Sequence, residues 1–129
     1  MPKGFKEMIA EANAAVSSIS ADDAQRLVGS PDVLFVDVRE AVELQRTGKI
    51  PGAVHATRGM LEFYADPESP YHNPALDRTK QLVVSCASGG RSVLAAKTLK
   101  EMGFENVRNL TGGMNAWKEA GGPTEAHAA

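Results

Sequence analysis

Leu82-Val83-Val84-Ser85-Cys86-Ala87-Ser88-Gly89-Gly90-Arg91-Ser92 is the stretch from which the rest of the chain can be read. Its opening run is apolar, rich in β-branched residues and free of polar alternation, which suits a strand buried on both faces of a parallel sheet. Beyond Ser92, Ala95, Leu99 and Met102 share one helical stripe and predict a helix over about 91–102. Val33-Leu34-Phe35-Val36 is a second run of the buried-strand kind, and Ala53-Val54-His55 and Val107-Arg108-Asn109-Leu110 are shorter strand candidates. Helical stretches are expected at about 40–45, 59–64 and 114–119. Another is expected at about 4–16, with Phe5, Met8, Ile9, Ala12 and Val16 on one face. Ser17-Ser18-Ile19-Ser20 interrupts that face. Ser20 with Asp23 then predicts the cap of a short helix carrying Ala24, Leu27 and Val28, which Gly29-Ser30-Pro31 ends. Strands alternating with helices at this spacing mean βαβ units and an α/β domain.

The 129 residues make one domain. Fourteen basic against sixteen acidic residues leave a net charge of -2, which argues against a nucleic-acid or membrane role built on bulk positive charge. One cysteine rules out both an intramolecular disulfide and a four-cysteine zinc site. No apolar run is long enough to span a membrane. Glu7 and Glu11 interrupt what a leader would need, so the cytoplasm is the expected compartment. Residues 65–80 carry Pro67, Pro70 and Pro74 and read as a long loop, and the end of the chain is expected to fray.

Cys86 falls where a buried strand gives way to a helix, at the sheet edge where ligands bind in open α/β folds. The helix start supplies unpaired N–H groups and a partial positive charge, and Gly89-Gly90 lets the backbone curl around one centre. A thiol in such a cradle ionises more readily, at ~3.5 to ~7.5 against ~8.5 when free. Ala87, Ser88, Gly89, Gly90, Arg91 and Ser92 are therefore the expected active-site loop around the nucleophile Cys86. Arg91 is expected either to hold that loop or to attract an anionic substrate. Cys86 and Arg91 are separated by four residues. Cysteine phosphatases place five there to ring a phosphoryl group, so the tighter loop suits a smaller anion or a single transferred atom.

That loop resembles the active-site loop of single-domain rhodanese-type sulfurtransferases. Phe35-Val36-Asp37-Val38-Arg39-Glu40, Gly48-Lys49-Ile50-Pro51-Gly52-Ala53 and Leu110-Thr111-Gly112-Gly113-Met114-Asn115-Ala116-Trp117 are similar, in the same order, to further segments of that family. The resemblance implies a five-stranded parallel sheet flanked by helices on both faces. It also implies a cycle in which Cys86 takes sulfur from a small donor, thiosulfate or another persulfide, and yields it to a thiol or cyanide-like acceptor. A protein donor or acceptor would fit the same loop, and no cofactor is required. Lys49 stands where the family usually has histidine, so a role for that imidazole does not carry over. The implied organisation is an N-terminal helical extension over 1–17, a rhodanese-like domain over 18–122 and a frayed tail over 123–129.

Asp37 and Arg39 follow a buried strand and are expected as supporting residues near Cys86, or as a structural ion pair. His55 and His72 are candidates for approaching Cys86, with a turn or surface role as the plainer reading. No histidine pair has metal-ligand spacing, so no metal is expected. Two other functions fit the cysteine: a non-enzymatic sulfur carrier or redox sensor, and a phosphatase or arsenate reductase. The six-residue loop disfavours the phosphatase, and the absence of a second cysteine disfavours an intramolecular resolving step.

Overall fold

In a computed structural model that describes residues 2–127, the two uninterrupted apolar runs sit side by side in the sheet. They form β2 (Val33–Asp37) and β4 (Gln81–Ser85), paired in parallel from Val33 opposite Gln81 to Asp37 opposite Ser85. The last four residues of each are buried, as expected of strands covered on both faces. β3 (Val54–His55) flanks β2, and β5 (Val107–Leu110) flanks β4. Beyond β5 lies β1 (Ser17–Ile19), which completes a five-stranded parallel sheet of order β1-β5-β4-β2-β3. Residue by residue, β1 reads only as a break after the first helix. Ile19 is its one buried residue, so the strand has no periodicity to detect and is defined by its pairing with Arg108, Asn109 and Leu110.

Alternate strand residues feed two cores. Leu34, Val36, Leu82 and Val84 face α1 (Phe5–Ala15), α4 (Leu61–Ala65) and α5 (Gly90–Glu101), whose Ala12, Leu61, Ala65, Val93, Ala96 and Leu99 close that side. Phe35 and Val83 face the other way, toward α2 (Ala21–Gln25) and α6 (Gly113–Glu119). There Trp117 is fully buried, edge-on to Phe35 at 6.0 Å between ring centres. Ser20 caps α2 as expected, its hydroxyl accepting the Asp23 N–H at 3.1 Å. In α1 the stripe is only half used. Ala12 is buried, whereas Phe5 and Met8 remain 71% and 46% exposed.

The expectation of a frayed tail is corrected for residues 123–127. Lys49 and Glu125 exchange backbone hydrogen bonds of 2.9 and 2.8 Å, and the Trp117 indole N–H donates to the Pro123 carbonyl at 2.8 Å. Lys49 and Glu125 are 76 residues apart, too far for any local pattern to signal. Residues 128 and 129 lie outside the described residues.

Candidate active site

β2 and β4 end together at the carboxyl edge, which brings Asp37 level with Ser85 and sets Cys86 just beyond it. α3 (Ala41–Thr47) follows β2, and α5 follows the cysteine loop. Cys86 is 1% exposed. Its Sγ accepts the Gly89 N–H at 3.1 Å, and the Ser92 hydroxyl lies 3.4 Å away. Burial is the largest single influence on this thiol and pushes its pKa up. The Ser92 hydroxyl and the backbone N–H groups of Ser92, Gly89 and Ser88 together outweigh burial, so the thiol ionises below its ordinary value.

The cradle is shaped from behind. Met114 N–H donates to the Cys86 carbonyl at 2.8 Å and Asn115 N–H to the Ala87 carbonyl at 3.0 Å. In a trans peptide the N–H opposes the C=O, so fixing the Ala87 carbonyl turns the Ser88 N–H the other way, toward the sulfur. The approach needs Gly113, since a Cβ there would stand 2.4 Å from the Cys86 oxygen. Gly89, with φ of 106°, makes the turn into α5. Asn109 on β5 braces the loop: its Nδ2 donates to the Gly89 carbonyl at 3.2 Å, and its Oδ1 lies 2.6 Å from the Ser92 hydroxyl, whose one proton goes either to that oxygen or, when the sulfur is ionised, to Sγ.

Arg91 forms a bidentate pair with Glu43 on α3, at 2.8 and 2.9 Å. Arg91, above all its hydrogen bond to that carboxylate, brings Glu43 down to about 2. Glu43 in turn raises Arg91 above its ordinary value, with a smaller contribution from Cys86. Arg91 therefore clips the loop to α3, and most of its charge is answered by Glu43. Glu43, Asn109 and Gly113 were not singled out as site residues in the sequence. The only local signal for Glu43 was its place three residues after Glu40, whose N–H it also accepts at 2.9 Å.

Asp37 and Arg39 form a buried ion pair, with Arg39 Nη2 2.8 Å from Asp37 Oδ2. Arg39 Nε also donates to both Asp37 oxygens, at 3.0 and 3.1 Å. Its Nη1 reaches Thr47 Oγ1 at 2.9 Å and its Nη2 the Gly48 carbonyl at 2.8 Å. The pair thus fastens the end of β2 to the end of α3, and its hydrogen bonds run there rather than to the cysteine loop. His55 meets the Arg39 carbonyl at 2.6 Å, and the hydrogen-bond partners of Cys86 include neither His55 nor His72. Among the described residues, no group of three or more His, Cys, Asp or Glu side chains is arranged to hold a metal ion.

Comparison with known proteins fits this geometry. A sulfurtransferase of Allochromatium vinosum is 33% identical over 103 residues, which is 80% of this chain and 88% of that protein. YrkF of Bacillus subtilis, provisionally named a sulfur carrier protein, is 33% identical over 112 residues, or 86% of this chain. The chain spans only 56% of YrkF's length. A solved structure from Rhodopseudomonas palustris, described as a protein of unknown function and possible tyrosine phosphatase, is 46% identical. It superposes with a TM-score of 0.92 over 97% of this chain and 96% of that one. The model of the rhodanese-like domain matches residues 20–120, from the cap of α2 to the end of α6, so this chain belongs to the rhodanese-like domain family.

Proposed function

We propose that the protein is a sulfurtransferase that moves sulfane sulfur through a persulfide on Cys86. The observation that carries this is the Sγ environment: one buried sulfur facing three backbone N–H groups and a hydroxyl, which favour its anion over its thiol. With thiosulfate as donor, the Cys86 thiolate attacks the outer sulfur, the donor's S–S bond breaks, and sulfite leaves with the bonding pair. The persulfide anion then inherits the cradle, and an acceptor thiolate or cyanide removes the outer sulfur and returns Cys86 as a thiolate. No electrons are gained or lost overall.

Ala87 to Ser92 supply the cradle, Arg91 clips it to α3, and Asp37 with Arg39 holds α3 in place. The absence of a disulfide partner suits a reducing compartment, and we place the protein in the cytoplasm. No helix of the described residues is long and apolar enough to cross a membrane. A sulfur carrier loaded and read by protein partners is the second reading, favoured by the similarity to YrkF. Phosphate-ester hydrolysis fits less well, because Glu43, the carboxylate bound to the loop through Arg91, has both oxygens engaged by that guanidinium and is held ionised, which makes it a poor proton donor to a leaving group.

The test is intact-protein mass spectrometry after thiosulfate and then cyanide, with Cys86→Ala in parallel. The expected result is one added sulfur on the wild type alone, released afterwards as thiocyanate. Sulfur uptake by the Cys86→Ala protein would refute the role of Cys86. Loading by a protein persulfide but by no small donor would favour the carrier.

A further inference from the structure

Arg91 was expected either to hold the loop or to meet an anionic substrate, and each of its terminal nitrogens donates to Glu43, whose carboxylate answers its charge. Residues 87–90 carry no charged side chain. Uncompensated positive charge lies one step away, in a cleft of about 220 Å³ between α3 and α6 that touches the loop at Ala87. Arg46 on α3 and Lys118 on α6 line this cleft, and neither forms an ion pair among the described residues; Glu43 lines it as well, its carboxylate paired with Arg91. Arg39 lines it too and is 3% exposed. Of its five N–H donors, Nε, one on Nη1 and two on Nη2 are used by Asp37, Thr47 and Gly48. The second hydrogen on Nη1 has no partner among the described residues. The cleft thus combines a fixed, nearly buried donor with two exposed cations.

We propose that this cleft binds the carboxylate of a small anionic thiol, the acceptor for the sulfur carried by Cys86, and that Arg46 and Lys118 set the preference for it. This rests on the sulfurtransferase reading. The volume is below the ~300 Å³ typical of a pocket that encloses a whole ligand, so it suits one charged end of a molecule. Position selects acceptor over donor. In thiosulfate the charge adjoins the reacting sulfur and would have to lie within the cradle. The cleft meets the loop only at Ala87, and so suits a charge several bonds from the attacking sulfur. In the transfer the acceptor thiolate bonds to the outer sulfur, the bond from that sulfur to Cys86 Sγ breaks, and Cys86 leaves as its thiolate. The cradle stabilises that leaving group while the cleft holds the other end of the acceptor.

Wild type and the Arg46→Ala/Lys118→Ala double variant are loaded with thiosulfate and desalted. Loss of the outer sulfur is then followed by quenched mass spectrometry against mercaptosuccinate or neutral 2-mercaptoethanol. The double variant is expected to need about tenfold more mercaptosuccinate for half-maximal rate, as two exposed charge contacts allow, with its 2-mercaptoethanol rate unchanged. Added salt should narrow the difference. Equal changes for the two thiols, or none for mercaptosuccinate, would overturn the cleft's role. Succinate, which has no sulfur, separates the cleft from the chemistry. It should shift the amide resonances of Ala87 and Asn115 in wild type but not in the double variant. No such shift in wild type overturns the cleft, whereas such a shift in a protein that takes up no sulfur supports the cleft and refutes the transferase.

Discussion

Replacing Gly113 by Ala tests whether α6 shapes the cysteine cradle or only packs behind it. Gly113 has φ of 58°, where a non-glycine residue costs ~1–2 kcal/mol. Its new Cβ would stand 2.4 Å from the Cys86 oxygen and 2.7 Å from the Ala87 carbonyl carbon and oxygen. Carbon–oxygen contacts normally close at ~3.3 Å, so loop and helix must part by about 1 Å. That separation weakens the Met114 and Asn115 hydrogen bonds to those carbonyls, worth ~1 kcal/mol each. The expected loss is therefore ~3–4 kcal/mol in urea unfolding. Gly121→Ala supplies the reference, because Gly121 has φ of 76° and nothing within 4 Å of its Cβ position. It should lose only the backbone contribution of ~1–2 kcal/mol. The pH dependence of Cys86 alkylation by iodoacetamide is the second readout. In Gly113→Ala the midpoint should rise, since Ser88 N–H is no longer aimed at the sulfur, while Gly121→Ala should match wild type. Equal losses in the two variants, or an unmoved alkylation midpoint in Gly113→Ala, would refute the account of the cradle.

Ser92→Ala removes the hydroxyl whose one proton turns to the sulfur when Cys86 ionises, so the alkylation midpoint of Cys86 should move to higher pH; an unchanged profile would show that the proton stays with Asn109 Oδ1. Glu43 sits at about 2 in the fold against 4.5 ordinarily, so its stabilising pairing is fully present above pH 4.5 and fades as pH falls toward 2. Because the pair is partly exposed, Glu43→Gln should cost only ~1 kcal/mol at pH 7 and nothing near pH 2, measured by denaturant midpoints across that range. Arg39→Ala leaves the Asp37 carboxylate buried without its cation and should cost ~3–5 kcal/mol in the same assay; a loss below ~1 kcal/mol would show that the pair does not anchor α3.

The buried strands β2 and β4, the helix after Ser92 and the position of Cys86 between strand and helix were all legible in the sequence. Each depends on neighbours within about one helical or strand period, and burial on both faces leaves a visible apolar run. The Ser20 cap was legible for the same reason, its partner being three residues away. A sulfur at a strand end, followed by two glycines and a helix, was enough to imply an anion-favouring loop before any tertiary contact was known. The packing supplied what was not local. β1 exists only through its register with β5, 91 residues away at Ser17 and Arg108. Whether Arg91 holds the loop or meets an anion was open in the sequence because Glu43, 48 positions earlier, meets it only after β2 and β4 bring α3 beside α5. The close approach of Gly113 to Cys86 and the pairing of Lys49 with Glu125 have the same origin. Local spacing placed the cysteine, whereas contacts between segments remote in sequence decided which charges around it are paired and which are not.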